Sequence, residues 1–112
     1  MKIFICISIF FLSTSAYAMT LGEYKQHSFA PATIPYLNGI VDGIVAYNDD
    51  LQARGLTPLF CLGKDRLDGS YAAKTLAGVL STAAGNWHAG KPINGILLHK
   101  IINVYPCPAA SR

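Results

Sequence analysis

The chain has 112 residues, of which 52% are hydrophobic and only 13% are charged, with a formal net charge of +3. That length holds one modest domain. The basic residues are scattered, without clusters or interleaved aromatics, which argues against a nucleic-acid surface.

The first residues are expected to be a targeting segment. Lys2 precedes the apolar run Ile3 to Leu12, and Ala16-Tyr17-Ala18 supplies the small-residue ending read by signal peptidase. The run is too short to span a bilayer. A signal peptide over residues 1–18, cleaved after Ala18, would leave residues 19–112, 112 − 18 = 94 residues, as a single domain exported to the periplasm. Lys2 leaves with it, so eight basic residues face six acidic ones and the mature charge falls to about +2. No later stretch is apolar enough to span a membrane, so no membrane partner is expected after cleavage.

Thr20-Leu-Gly-Glu23 is a capping-box pattern, with the Thr20 hydroxyl facing an early N–H and Glu23 reaching back. It predicts a short helix over Leu21 to His27, with Leu21 and Tyr24 inward. Phe29 to Thr33 breaks that helix. Thr33 is the expected N-cap of the next one, with Pro35 tolerated in its first turn.

The central helix should run to about Arg54, with Gly55 supplying a left-handed C-terminal conformation. Tyr36, Ile40, Ile44, Tyr47 and Leu51 recur at helical spacing, with Leu37, Val41 and Val45 beside them, giving a broad apolar face. Gly39 and Gly43 lie one turn apart on this helix. Each is unfavourable by about 1 kcal/mol relative to alanine, so a second backbone is expected to come close there. That backbone belongs either to a neighbouring helix of the same chain or to a second chain.

Thr57 to Cys61 reads as an extended approach to a cysteine, and Leu62 to Ser70 as a polar turn region. A third helix is expected from about Ser70 to Ala83, capped by Asp68 or Ser70, with Tyr71, Thr75, Leu76, Val79 and Leu80 on its apolar face and Ala72, Ala73, Ala77 and Gly78 allowing close packing. A loop follows at Ala84 to Lys91. Pro92 then opens a last helix to about Asn103, with Ile93, Ile96, Leu97, Ile101 and Val104 as its apolar face. Tyr105-Pro-Cys-Pro108 stops it. Three main helices plus a short N-terminal one make an all-α small helical bundle.

Cys6 goes with the leader, leaving Cys61 and Cys107. An exported chain with two cysteines is expected to join them. The bridge closes a loop of about 47 residues, a stabilisation of roughly 4 kcal/mol in the chain-entropy model.

Catalytic and metal constellations are not visible. His27, His88 and His99 are widely separated, and no His-x-x-x-His or Cys-x-x-Cys spacing occurs. Asp42, Asp49 and Asp50 read as a solvated helix face. Neither a nucleophile elbow nor a phosphate loop is present. No enzyme activity, metal or cofactor is therefore expected. The loop residues Asn86, Trp87, His88 and Lys91 are the candidate partner-binding site. Trp87 is the only tryptophan of the chain; it either packs onto the bundle or projects as an anchor, and tryptophan is prominent among residues that dominate binding energy.

Tyr36-Leu-Asn-Gly-Ile-Val-Asp-Gly43, Leu59-Phe-Cys61 and Tyr105-Pro-Cys107 stand in an order that resembles the Tai/Rap family of type VI secretion immunity proteins. That family has an aromatic-rich helix with Tyr-x-x-Gly-x-x-x-Gly, then a Phe-Cys, then a terminal aromatic-Pro-Cys. The resemblance spans about Tyr36 to Cys107. It implies a periplasmic helical protein, commonly a homodimer, that binds a cognate secreted toxin, often a peptidoglycan amidase, and blocks its active site. Tyr36, Gly39 and Gly43 would then serve helix packing or the dimer. The choice of the 86–91 loop for the toxin comes from this sequence and not from a matched family motif. The alternative from another class is a periplasmic acid-stress chaperone, which the low content of charged residues disfavours.

Overall fold

A computed structural model describes residues 19–82 and 88–108. Among these residues there are four helices and no strand: α1 (Leu21–His27), α2 (Thr33–Ala53), α3 (Gly69–Leu80) and α4 (Ile93–Val104). The fold is an all-α bundle of three main helices with a short N-terminal helix. None of the described helices is long and apolar enough to cross a membrane.

Local chemistry sets several of these boundaries. Thr20 Oγ1 accepts from the Glu23 N–H at 3.2 Å, and its hydroxyl donates to Glu23 Oε1 at 3.1 Å. The expected capping pair is therefore present, although Glu23 takes the hydroxyl rather than the Thr20 N–H. Asp68 caps α3 by accepting from the Tyr71 N–H at 2.8 Å. Gly55, at φ +74°, occupies the left-handed region just beyond α2.

Thr33 departs from its expected role. Ala32 holds the N-cap position, and the Thr33 hydroxyl instead donates to the His27 carbonyl at 2.7 Å. Thr33 is buried, and its hydroxyl adds a second bond to a carbonyl that also accepts from the Ala30 N–H at 2.9 Å. The third helix also stops early, at Leu80 rather than near Ala83. There the Ser81 and Thr82 hydroxyls each donate at 2.8 Å to carbonyls of the last turn, those of Gly78 and Val79, and such bonds compete with continued helix. Pro92 is the N-cap of α4 and not its first residue.

The core is one cluster. Leu21 and Tyr24 of α1, Leu37 and Val41 of α2, Ala72, Leu76 and Val79 of α3, and Ile93, Leu97 and Ile101 of α4 meet there with Phe60 and Leu67 of the α2–α3 connection. Each fully buried leucine, isoleucine or phenylalanine contributes about 1.5–3 kcal/mol. The most extensive helix pair is α2 with α3. Their closest approach is at Gly69, where an added Cβ would lie 2.7 Å from the Ile34 carbonyl oxygen and 2.6 Å from Asn38 Oδ1, which accepts the Gly69 N–H.

Two apolar faces differ from expectation. On α2 the buried positions are Leu37, Val41, Asn48 and Leu51, whereas Tyr36 and Tyr47 are 38% and 55% exposed. On α4, Val104 is 59% exposed and lies off the core stripe of Ile93, Leu97 and Ile101.

Asn48 explains the rotation of α2. It is buried, and its Nδ2 donates to the Phe60 carbonyl at 2.9 Å while its Oδ1 accepts from the N–H groups of Leu59 at 2.7 Å and Phe60 at 3.2 Å. A single side chain thus satisfies an extended backbone segment that has no strand partner, and it draws its own face of α2 inward. The next residue, Cys61, donates its N–H to the Tyr105 carbonyl at 2.9 Å. Cys61 is bonded to Cys107, 46 positions further along the sequence, with Cα atoms 4.9 Å apart. The Tyr105 ring packs at a tilt against Tyr71, centroids 6.4 Å apart.

Candidate functional site

The expected partner loop divides at the limit of the described residues. Asn86 and Trp87 lie outside them. His88 and Lys91 lie within, in a turn closed by the Lys91 N–H donating to the His88 carbonyl at 2.9 Å. The start of the fold holds this turn in place. The Leu21 N–H donates to the Lys91 carbonyl and the Gly22 N–H to the Ala89 carbonyl, both at 2.9 Å, and Thr20 forms an antiparallel bridge with Pro92. The first N–H groups of a helix have no partner within it; α1 directs two of its own into the turn. Gly22 makes this approach possible, since a Cβ there would lie 3.1 Å from the Ala89 oxygen.

The same N-terminal segment reaches Tyr36. The Met19 carbonyl accepts from the Ile93 N–H at 2.9 Å, and the Met19 N–H donates to the Tyr36 hydroxyl at 3.2 Å. Residues 19–22 therefore bridge the loop end and the start of α2. Loop and helix motif, separated in sequence, are tied to one short stretch of chain.

Gly39 and Gly43 do not serve close packing among the described residues, where a Cβ at either would meet no atom within 4 Å. Gly78 is equally open, so it does not mediate a close contact either. The expectation of internal close packing at these positions is corrected by α2 turning the Leu37–Val41–Asn48 stripe to the core. What remains is an open groove of about 340 Å³ between α2 and α4, lined by Gly39, Ile40, Gly43, Ile44, Tyr47, Asn94 and Leu98. The exposed Tyr36 and Tyr47 stand on the helix that forms one wall.

Among the described residues no three His, Cys, Asp or Glu side chains are grouped to hold a metal ion. The disulfide occupies Cys61 and Cys107, the two cysteines of the described residues. His99 is exposed and accepts from Asn103 Nδ2 at 3.2 Å, one turn along α4.

Asn38 and Asn48 are the residues that sequence reasoning missed. Each is a polar residue on a helix read by its apolar positions. The signal was present at Asn48, which continues the Leu37–Val41 stripe one heptad beyond Val41.

The chain matches no protein-family model, no curated protein and no solved structure. The segments 59–61 and 105–107 are joined in space, through Cys61–Cys107 and the Cys61 N–H donating to the Tyr105 carbonyl.

Proposed function

We infer that this is a periplasmic immunity protein that binds a secreted toxin, a peptidoglycan amidase by the resemblance, and blocks it. The observation that carries the reading is the placement of the Tyr36–Gly43 motif. A Cβ at either of its glycines would meet no atom of the described residues within 4 Å, and its aromatic residue is exposed. A disulfide-braced bundle with an open small-residue and aromatic face is suited to protein recognition, because rigid scaffolds lose little conformational freedom on association.

On this reading the loop 86–91 enters the toxin, with Trp87 and His88 as contacts and Lys91 adding charge. The open face of α2, with Gly39 and Gly43, joins a second copy of the chain. No catalytic residue is needed.

The test is a pull-down with the mature, oxidised protein as bait, from extracts of the source cell and of close competitors. Capture of a cell-wall hydrolase, weakened by the Trp87→Ala, His88→Ala double variant, is the expected result. Capture untouched by that variant but lost in Gly43→Leu would move the toxin contact to α2. Absence of any specific partner at neutral pH, with broad binding of unfolded clients in acid, would overturn the reading.

A further inference from the structure

A second concave surface has a different chemistry. Between α3 and α4 lies a cleft of about 480 Å³, within the range of small-molecule sites. Val79 and Ile96 line its apolar part, and His88, Lys91, His99 and Lys100 contribute four nitrogen-bearing side chains. Gly78 and Gly95 also border it, and a Cβ at either would meet nothing within 4 Å, so the space is open where side chains would otherwise stand.

The charge distribution is one-sided. None of the six Asp and Glu residues of the chain lines this cleft. Three of them, Asp42, Asp49 and Asp65, instead border a separate cleft beside α2. The two lysines of the α3–α4 cleft therefore have no carboxylate counterpart within it.

The Lys91 and Lys100 ammonium groups of this lining select an acceptor of negative charge. The adjoining Val79 and Ile96 favour a ligand with a short apolar portion next to that charge.

We propose that the α3–α4 cleft is a carboxylate-binding site, in which Lys91 and Lys100 hold the carboxylate and Val79 and Ile96 receive the apolar carbon chain attached to it. A carboxylate accepts charge-assisted hydrogen bonds from each of these donors. The carboxylate comes either from a free organic acid or from an acidic side chain of a protein. The site does not depend on the toxin reading, since the lining chemistry defines it.

The experiment is an amide NMR titration of the mature, oxidised protein with butyrate, with butyramide as the neutral isostere, and with a capped tripeptide Ala-Glu-Ala. Butyrate or the peptide should shift the Gly78, Gly95 and Ile96 resonances saturably, while butyramide should not. Tighter binding of butyrate assigns the carboxylate to a free acid, and tighter binding of the peptide assigns it to a protein side chain. The Lys91→Gln, Lys100→Gln double variant should weaken binding about tenfold, with the Asn48 and Phe60 amides unmoved as the sign of an intact fold. Equal shifts with butyrate and butyramide, or no saturable shift with either acid, overturn the proposal. The wild-type comparison decides the matter even if the double variant fails to fold.

Discussion

The Asn48 carboxamide pairs with both sides of Phe60, its Nδ2 donating to the carbonyl at 2.9 Å and its Oδ1 accepting from the N–H at 3.2 Å. This is the pairing that a neighbouring strand would give, made by one side chain from a helix. Asn48→Ala leaves buried peptide groups of residues 59 and 60 without partners and is expected to destabilise the fold by about 2–4 kcal/mol. Asn48→Asp retains the acceptor but sets a carboxylate against the Phe60 carbonyl, and it should also be destabilising. Urea midpoints of the oxidised protein measure both, and an unchanged Asn48→Ala midpoint would show that water replaces the side chain.

The glycines separate into two kinds. Gly39→Ala and Gly43→Ala place a methyl in open space on a helix and should each stabilise the isolated protein by about 0.5–1 kcal/mol. Gly69→Ala drives a methyl against the Ile34 carbonyl and should destabilise by about 1–3 kcal/mol. Thermal unfolding of the three variants gives the signs directly. If the open face of α2 meets another chain, the two stabilising variants will still weaken that association.

Removal of the disulfide has a bounded effect. The Cys61→Ala, Cys107→Ala double variant should lose at most about 4 kcal/mol, the entropy gained by an unfolded chain released from the loop. The bond between the Cys61 N–H and the Tyr105 carbonyl remains available to hold the two segments together. Far-ultraviolet circular dichroism should therefore retain the helical signal at low temperature while the melting temperature falls. Loss of helix at every temperature would mean that the bridge is needed for folding itself.

Burial raises the Tyr24 hydroxyl above its ordinary value of 10.0. Its ionisation in the folded state is thus delayed relative to the unfolded chain. The stability linked to Tyr24 is fully present below about pH 10 and is lost as pH rises toward the folded value. Tyr105 shifts in the same direction, through burial first and then the hydrogen bond and charge of Asp65. Tyr24→Phe should therefore flatten part of the alkaline decline and leave the remainder to Tyr105. Denaturant midpoints taken from about pH 9 to about pH 11 test this; a decline of unchanged slope in the variant would contradict it.

What was legible in the sequence was mostly local. The bounds of α1, the Asp68 cap and the left-handed Gly55 each depend on residues within a turn of one another, and all three appear as expected. The face of α2 was misread at its edge, where Tyr36 and Tyr47 are exposed, whereas Leu37, Val41 and Leu51 are buried and Ile40, Ile44 and Val45 pack against the core. Apolar residues fill two adjacent stripes there, Tyr36–Ile40–Ile44–Tyr47 and Leu37–Val41, and periodicity cannot rank them. The choice is made by Asn48, whose partners lie eleven and twelve residues away and whose polarity removes it from any apolar count. Gly69 escaped notice for the same reason, since the Ile34 carbonyl that crowds it belongs to another helix. At the candidate site, His88 and Lys91 could be named from their loop, but not the hydrogen bonds from Leu21 and Gly22 that fix it, because these join segments far apart in sequence.

Those bonds have a practical consequence. Met19 donates to Tyr36 and accepts from Ile93, while Leu21 and Gly22 donate to the 88–91 turn. An affinity tag or uncleaved extension ahead of Met19 therefore emerges beside the candidate recognition loop, and trimming only a few residues from that end would loosen it. A fusion partner joined beyond Pro108 follows instead the segment that the disulfide holds to Cys61. Binding assays with the two tag positions should disagree whenever the loop is the contact, so the choice of tag is itself a probe of where the partner sits.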